Sequence, residues 1–407
     1  MTSRRLLRLL APALAVGLAA CAQVPVTPRT PAADAPRPAA SVAPTRAPAP
    51  TTATPTTATH AATPGAQRLT VTVSGDLLWH RGLLTEGAEA GAKQGKAYDF
   101  VPLFEHIRPL IEGADVSICH VEVPVAPQGV KASGYPTFAS PPETIQAVAT
   151  VGFDYCTFAS NHTFDQGAAG LAATLDALDD AGIAHTGAYR TEAAAKIPTI
   201  LTTASGVKVA VVAGSYGSNA KAPAGRAWAL DKLDAATMIQ RGKAARAAGA
   251  DLVFAAMHAG TEQRHRPNDQ QVRVATELAT SGVFNLVYGH HAHVPQPWDR
   301  INDTWVVYGG GNLVAQMKVA TPRAYEQYLG RLTFENQGDR WVAVEAEYVP
   351  LMMTLGRPGA PARVLDVNKA LAEGRGDAAR LKLAREQVAR AVGMLGADVT
   401  EVGATRG

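Results

Sequence analysis

Charge of one sign is what this sequence has least of. Lys and Arg outnumber Asp and Glu only 38 to 35, a formal net charge of +3 over 407 residues. That leaves no electrostatic footprint for nucleic acid, and no nucleic-acid partner is expected. Cysteine is almost as scarce. The chain has 3, Cys21, Cys119 and Cys156, and none of them is a candidate metal ligand. Long apolar runs are missing too: the N-terminal one, Leu9 to Ala20, is too short to span a bilayer as a mature helix. From Ala22 to about Ala66 the chain is mostly Pro, Ala and Thr, with almost no aromatic or large aliphatic side chain. Such a segment cannot bury enough apolar surface to fold and reads as a semi-extended tether.

What is present at the N-terminus is informative. Arg4, Arg5 and Arg8 precede the apolar run, which ends Leu18-Ala19-Ala20-Cys21. This resembles the lipobox of bacterial lipoproteins, in which cleavage precedes a cysteine that is then lipidated. The alternative is a plain secretory peptide followed by a free thiol. The expected organisation is a signal peptide over 1–20, lipidated Cys21 with a tether over 21–66, one large domain over 67–355, and a tail over 356–407 carrying a helix. The expected location is outside the cell, lipid-anchored to the outer face of the membrane.

Within the large domain, short apolar strands alternate with helical patterns, which argues for an α/β sandwich. Strands are expected at Leu69–Ser74, 115–122, Phe153–Ala159, Thr199–Leu201, Val207–Ala213, Leu252–Met257, 285–288 and Trp305–Tyr308. Helices are expected at Val101–Ile111, from Glu143, Ala168–Ala181, Ala235–Ala248, Gln270–Thr280 and Lys382–Val392. The stretch between Asp76 and Val101 reads as a glycine-rich connection. A hairpin joins Leu332–Glu335 to Trp341–Tyr348 around Gln337-Gly338.

The organising stretch is Leu-Val-Tyr-Gly-His-His-Ala-His-Val-Pro-Gln-Pro, 286–297. Crowded imidazoles repel when protonated but share a cation when neutral. Other strands end in ligand-type residues as well: Asp76, Glu122, Asn161-His162 and His258. In a sheet covered by helices such ends converge on one crevice. Carboxylate, carboxamide and imidazole without thiolate suit Mn, Fe, Zn or Mg as one or two divalent ions. The metal set is therefore Asp76, Glu122, Asn161, His162, His258, His291 and His293, with His290 a bystander or a support for the ligands. His162 and Glu262 are candidate proton donors. His120, Asp165, Tyr216 and Asn312 are assigned to substrate, and Asp165 and Glu262, each three or four positions after a ligand candidate, read equally as supports for a ligand. Each has a bland reading beside it: Asp76 as a helix cap, Glu122 as a loop surface residue, Asn161 as a turn stabiliser, and the histidines as a polar loop. Cys119 and Cys156 lie on strands that should be neighbours and are either bridged or two buried thiols.

The set Gly75-Asp76, Cys-His-Val-Glu122, Ala-Ser-Asn161-His162 with Asp165, His258-x-Gly260-x-Glu262, Gly289-His-His291-Ala-His293 and Tyr308-Gly-Gly-Gly-Asn312 resembles the CapA family of poly-γ-glutamate capsule biosynthesis proteins. That family is related in fold to calcineurin-like metallophosphoesterases. The resemblance implies a four-layered α/β/β/α sandwich of the metallophosphoesterase type, two mixed sheets flanked by helices. It places Asp76, Asn161, His162, His258, His291 and His293 on phosphoesterase-type metal positions. Two departures stand out. The phosphoesterase pattern begins Asp-x-His, whereas Asp76 is followed by Leu77 and Leu78, with His80 the nearest histidine. Glu122 replaces a bridging aspartate. Two functions remain open. One is a metal-dependent hydrolase or transferase acting on an anionic polymer or wall peptide. The other is a non-catalytic polymer-binding subunit working with membrane synthase subunits.

Overall fold

The first strand shows how the sequence builds the core. Leu69, Val71 and Val73 alternate with Thr70 and Thr72. The aliphatic set faces a second sheet, while the Thr72 hydroxyl meets Ser117 Oγ on the next strand at 2.8 Å. The computed structural model describes residues 65–317, 322–357 and 359–403. The expected signal peptide, Cys21 and nearly all of the expected tether lie outside them.

In chain order the strands are β1 (Arg68–Leu77), β2 (Val116–Val121), β3 (Tyr155–Thr157), β4 (Ala184–Thr186), β5 (Ile200–Thr202), β6 (Lys208–Ser215), β7 (Leu252–His258) and β8 (Leu286–His290). There follow β9 (Trp298–Ile301), β10 (Thr304–Val307), β11 (Asn312–Val314), β12 (Glu326–Asn336), β13 (Trp341–Met353), β14 (Val364–Asp366) and β15 (Thr400–Glu401). The helices are α1 (Arg81–Ala92), α2 (Val101–Phe104), α3 (Arg108–Glu112), α4 (Glu143–Thr150), α5 (Gly167–Asp180), α6 (Ala235–Ala247), α7 (Asp269–Thr280), α8 (Val367–Ala372) and α9 (Ala378–Val392).

One sheet runs β14-β13-β12-β1-β2-β3-β4, with β11 beside β1 and β15 beside β13. Its β1 to β4 are parallel and β12 to β14 antiparallel. The other runs β5-β6-β7-β8-β10-β9, parallel in the middle and antiparallel at both edges. Helices α1 to α5 cover the outer face of the first sheet, where Phe104, Val148 and Leu175 are buried with Val121. Helices α6 and α7 cover the second, where Met238 and Leu278 meet Val253 and Val287. Leu69, Val71, Phe254 and Leu286 fill the space between the sheets. This is the α/β/β/α sandwich with two mixed sheets that the sequence led us to expect.

Three local readings change. The glycine-rich connection contains α1, whose glycines hide the helical pattern while serving its packing: a Cβ on Gly87 would sit 2.2 Å from the Phe100 ring. The single helix over 101–111 is two, α2 and α3. Pro109, which has no N–H to give, opens the second. The stretch from 356 is built into the first sheet, because β14 and β15 both pair with β13 and α9 packs on β12 and β13.

Cys119 and Cys156 are register partners on β2 and β3, and their sulfurs are bonded. The bridge closes a loop with a sequence separation of 37, which in the chain-entropy account contributes about 3–4 kcal/mol. The Cys119→Ala/Cys156→Ala variant is expected to lose about 2–4 kcal/mol in urea unfolding relative to the oxidised protein. An unchanged midpoint would contradict this.

Candidate metal centre

The crevice forms where the carboxyl ends of the parallel strands of both sheets meet. In the first sheet Asp76 is register partner to His120 on one side and Asn312 on the other. In the second, His258 pairs with His290. Gly289 lets β8 and the chain after β10 come this close, since a Cβ there would stand 2.1 Å from the Tyr308 carbonyl oxygen. The loop beyond β8 then turns through two histidines in left-handed backbone, His291 at φ 86° and His293 at φ 57°. Such conformations persist only where surroundings fix them. Here Asp76 Oδ2 accepts the His291 N–H at 3.1 Å, and His293 Nδ1 meets Asn312 Oδ1 at 2.8 Å.

Two groups of ligand-type atoms result: Asp76, His120 and His290, and Glu122, His291 and His293, each with its atoms within 4.8 Å of one another. All six residues are buried. Asp76 touches both groups, through Oδ1 to His290 Nδ1 at 2.8 Å and Oδ2 to His293 Nδ1 at 3.2 Å. The residues fit a cation by the test of unmet valence. Buried polar atoms normally have partners, yet both oxygens of Glu122, His290 Nε2 and His291 Nδ1 have none. The side chains left wanting fall in both groups.

Electrostatics agree. Burial pulls His120 and His258 well below the usual histidine range, and neighbouring imidazoles add to it. Burial and then His293 bring His291 to about 4. These rings are neutral, as ligands must be. Burial pushes Glu122 up to about 8. Burial opposes a charge on His293, but Glu122, 3.6 Å away, and the Asp76 hydrogen bond lift it to about 10. A cation entering the second group therefore displaces protons from Glu122 and His293. Apparent affinity for a divalent ion should consequently strengthen as pH rises from 6 towards 8, by about tenfold per pH unit for each proton displaced. Calorimetry in buffers of different ionisation enthalpy should show proton release. Binding independent of pH would overturn it.

Other assigned residues fall into place differently. Thr157 Oγ1 meets His120 Nδ1 at 2.8 Å, His120 Nε2 meets His258 Nδ1 at 2.9 Å, and His258 Nε2 meets Asn161 Oδ1 at 2.9 Å. Without an ion a single proton order satisfies the chain: each donates to the next and ends on the carboxamide oxygen, so an ion in the first group must displace one of the two His120 hydrogen bonds. His120, assigned to substrate, is instead buried in this relay and stacked 4.0 Å over His290. His258 and Asn161 are its far members and lie outside both groups. His290, read as a bystander or a support for the ligands, presents a free nitrogen oriented by a carboxylate. Asn312, assigned to substrate, and Asp165, read as a substrate group or a support for a ligand, are positioning residues. Asp165 Oδ2 holds His162 Nδ1 at 2.8 Å and accepts the Phe138 N–H. Asn312 braces His293 and donates to two backbone carbonyls. Burial opposes a charge on His162, but Asp165 outweighs it and raises its pKa. Tyr216 stays at the rim, 44% exposed, its ring 4.6 Å from that of His291. Glu262 is exposed on the loop after β7, within electrostatic range of Glu122 and His293.

A model of the bacterial capsule synthesis protein PGA_cap family matches residues 70–317, a span that contains every residue of this centre. The chain belongs to that family. Among its relatives, the capsule biosynthesis protein CapA of Bacillus anthracis is 27% identical over 74% of this chain and 72% of its own length. The PGA biosynthesis protein CapA of Bacillus subtilis is 26% identical over 52% and 56%. A probable polyglutamine synthesis accessory protein of Mycobacterium tuberculosis is 25% identical over 49% and 55%. The chain thus spans little more than half of the last two. Among solved structures, a phosphatase from Mycoplasma pneumoniae aligns with a TM-score of 0.42 at 12% identity, covering 70% of this chain and 94% of that one. A calcineurin-like phosphoesterase from Bacillus subtilis aligns at 0.37 and 12%, covering 79% and 97%. Those scores are low, and the description of this PGA_cap-family fold rests on its own strand order and layers.

Proposed function

We propose that this PGA_cap-family chain is a divalent-metal-dependent hydrolase or transferase acting on an anionic envelope polymer, such as a γ-glutamyl chain, or on a wall peptide. We further propose that it works at the outer face of the membrane, anchored through Cys21 and alongside membrane synthase subunits. The observation carrying the chemistry is the set of unpartnered buried atoms on Glu122, His290 and His291. Bound there, a divalent cation supplies Lewis acidity towards a phosphoryl or carbonyl oxygen. The chain's own residues do the rest. Asp76 and Asn312 orient the imidazoles, the buried walls exclude water, and Asp165 holds His162 so that Nε2 can carry a proton to a leaving group. Asn219 Nδ2 lies 3.4 Å from that nitrogen and can only donate to it, so this contact must open before Nε2 carries a proton.

A second reading, a non-catalytic polymer-binding subunit, is favoured by Leu77 and Leu78, both buried, where the phosphoesterase pattern supplies a histidine. Metal analysis and turnover of a phosphodiester and a γ-glutamyl peptide separate the two. Stoichiometric metal, with turnover lost in His290→Ala and His291→Ala, supports the enzyme. Metal-free protein inert on both substrates would leave only the binding role.

A further inference from the structure

His80 belongs to neither group of ligand-type atoms, yet its ring is held in one protonation form by a neighbour that has no choice. The backbone N–H of Gln316 points at His80 Nδ1 across 3.1 Å. A peptide N–H only donates, so Nδ1 accepts and the ring proton sits on Nε2. The Leu78 carbonyl also lies 3.1 Å from Nδ1. That oxygen already accepts the His80 N–H, and a proton on Nδ1 would face the Gln316 N–H head on. The competing tautomer therefore loses. Among the described residues Nε2–H has no hydrogen-bond partner, and the side chain is half-buried.

The ring also faces the right place. It stands edge-on to Phe138 at 5.4 Å, and Phe138 stands edge-on to His162 at 4.9 Å. His293 and His162 both act on it electrostatically. It therefore flanks the centre on the His162 side, as the tip of α1's N-terminus, with a fixed neutral donor open to an incoming molecule.

We propose that His80 is a substrate-binding residue whose Nε2–H donates a hydrogen bond to a substrate oxyanion, a carboxylate or a phosphoryl oxygen, and so orients it beside His162. This rests on the hydrolase or transferase reading above. A neutral donor in a fixed direction selects orientation, which the freely rotating donors of a flexible lysine would not. Donation to a charged acceptor is worth about ten- to a hundredfold in affinity.

The test has two parts. Long-range proton–nitrogen correlation spectra of protein labelled with nitrogen-15 histidine, recorded without metal, should show His80 protonated at Nε2 and bare at Nδ1. In metal-loaded protein, inorganic phosphate and γ-glutamylglutamate are then titrated separately, and the probe that shifts the Nε2–H signal identifies which oxyanion is bound. His80→Ala should keep its metal content while weakening that probe, or raising KM with kcat little changed, by about ten- to a hundredfold. His80→Gln, which places an amide donor at the same reach, should recover part of the loss. A proton on Nδ1, no shift with either probe, or unchanged affinity in His80→Ala overturns the proposal. A protein that takes up no metal sinks the hydrolase reading instead, and the metal-free spectrum still decides the tautomer.

Discussion

Glu122→Leu should make the metal-free protein more stable, by about 1–3 kcal/mol, while abolishing cation binding in the second group. The carboxyl is fully buried and neither oxygen has a hydrogen-bond partner. Leucine of similar volume removes an unmet polar group from the interior, whereas glutamine would leave one behind. The sign also depends on pH. Burial holds Glu122 at about 8, above its unfolded value, so ionisation costs the folded state more than the unfolded one. The wild-type side chain therefore destabilises increasingly as pH rises from the unfolded value through 8, and the gain from leucine should grow over that window. Metal reverses the comparison, since an ion bound only to the folded wild type stabilises it by mass action. Urea unfolding with chelator and with excess Mn²⁺ reads both effects. A Glu122→Leu protein less stable than wild type in chelator would mean that the carboxyl serves the fold rather than a ligand.

Most of this architecture was legible because it rests on periodicity. Apolar strands bounded by Gly, Asn and Asp, alternating with helical spacing, leave few topologies to choose from. Helix α1 was not legible because its glycines serve contacts to residues some ten positions away, which no local propensity encodes. The tail was opaque for the same reason: β14 and β15 are two or three residues long and exist only as partners of β13. In the site, the residue types were visible but their division of labour was not. Alternation along the loop favours His291 and His293 over His290. The loop instead leaves β8 at His290 and reverses through left-handed backbone, which brings all three imidazoles inward. One residue absent from every sequence-based assignment is His80. Its signal is the backbone of Gln316, 236 positions away.

Asp76→Asn should cost more than any single histidine, because the two groups share that carboxylate. Oδ1 takes the His290 Nδ1 proton, while Oδ2 takes the backbone N–H of His291 and stands beside His293. Asparagine replaces one of these acceptors with an NH2. Placed at Oδ2, it meets the His291 N–H, a donor that cannot reverse. Placed at Oδ1, it forces His290 to accept at Nδ1 and carry its proton on Nε2, the nitrogen now free for a ligand. Either orientation also removes the charge that helps lift His293. The metal-free variant should lose about 3–5 kcal/mol, the cost of breaking a buried ion pair from one side. Orienting partners alone change metal affinity by about ten- to a hundredfold, so the loss should exceed that in the first group, where Asp76 is itself a candidate ligand, and reach it in the second, where Asp76 orients His291 and His293. The stoichiometries then form a series by elemental analysis: full loading in wild type, the first group alone in Glu122→Leu, the second alone in His120→Ala, and none in Asp76→Asn. Wild-type loading in Asp76→Asn would show that the two groups do not meet at Asp76. Equal loss in all three variants would show a single ion held by all six side chains.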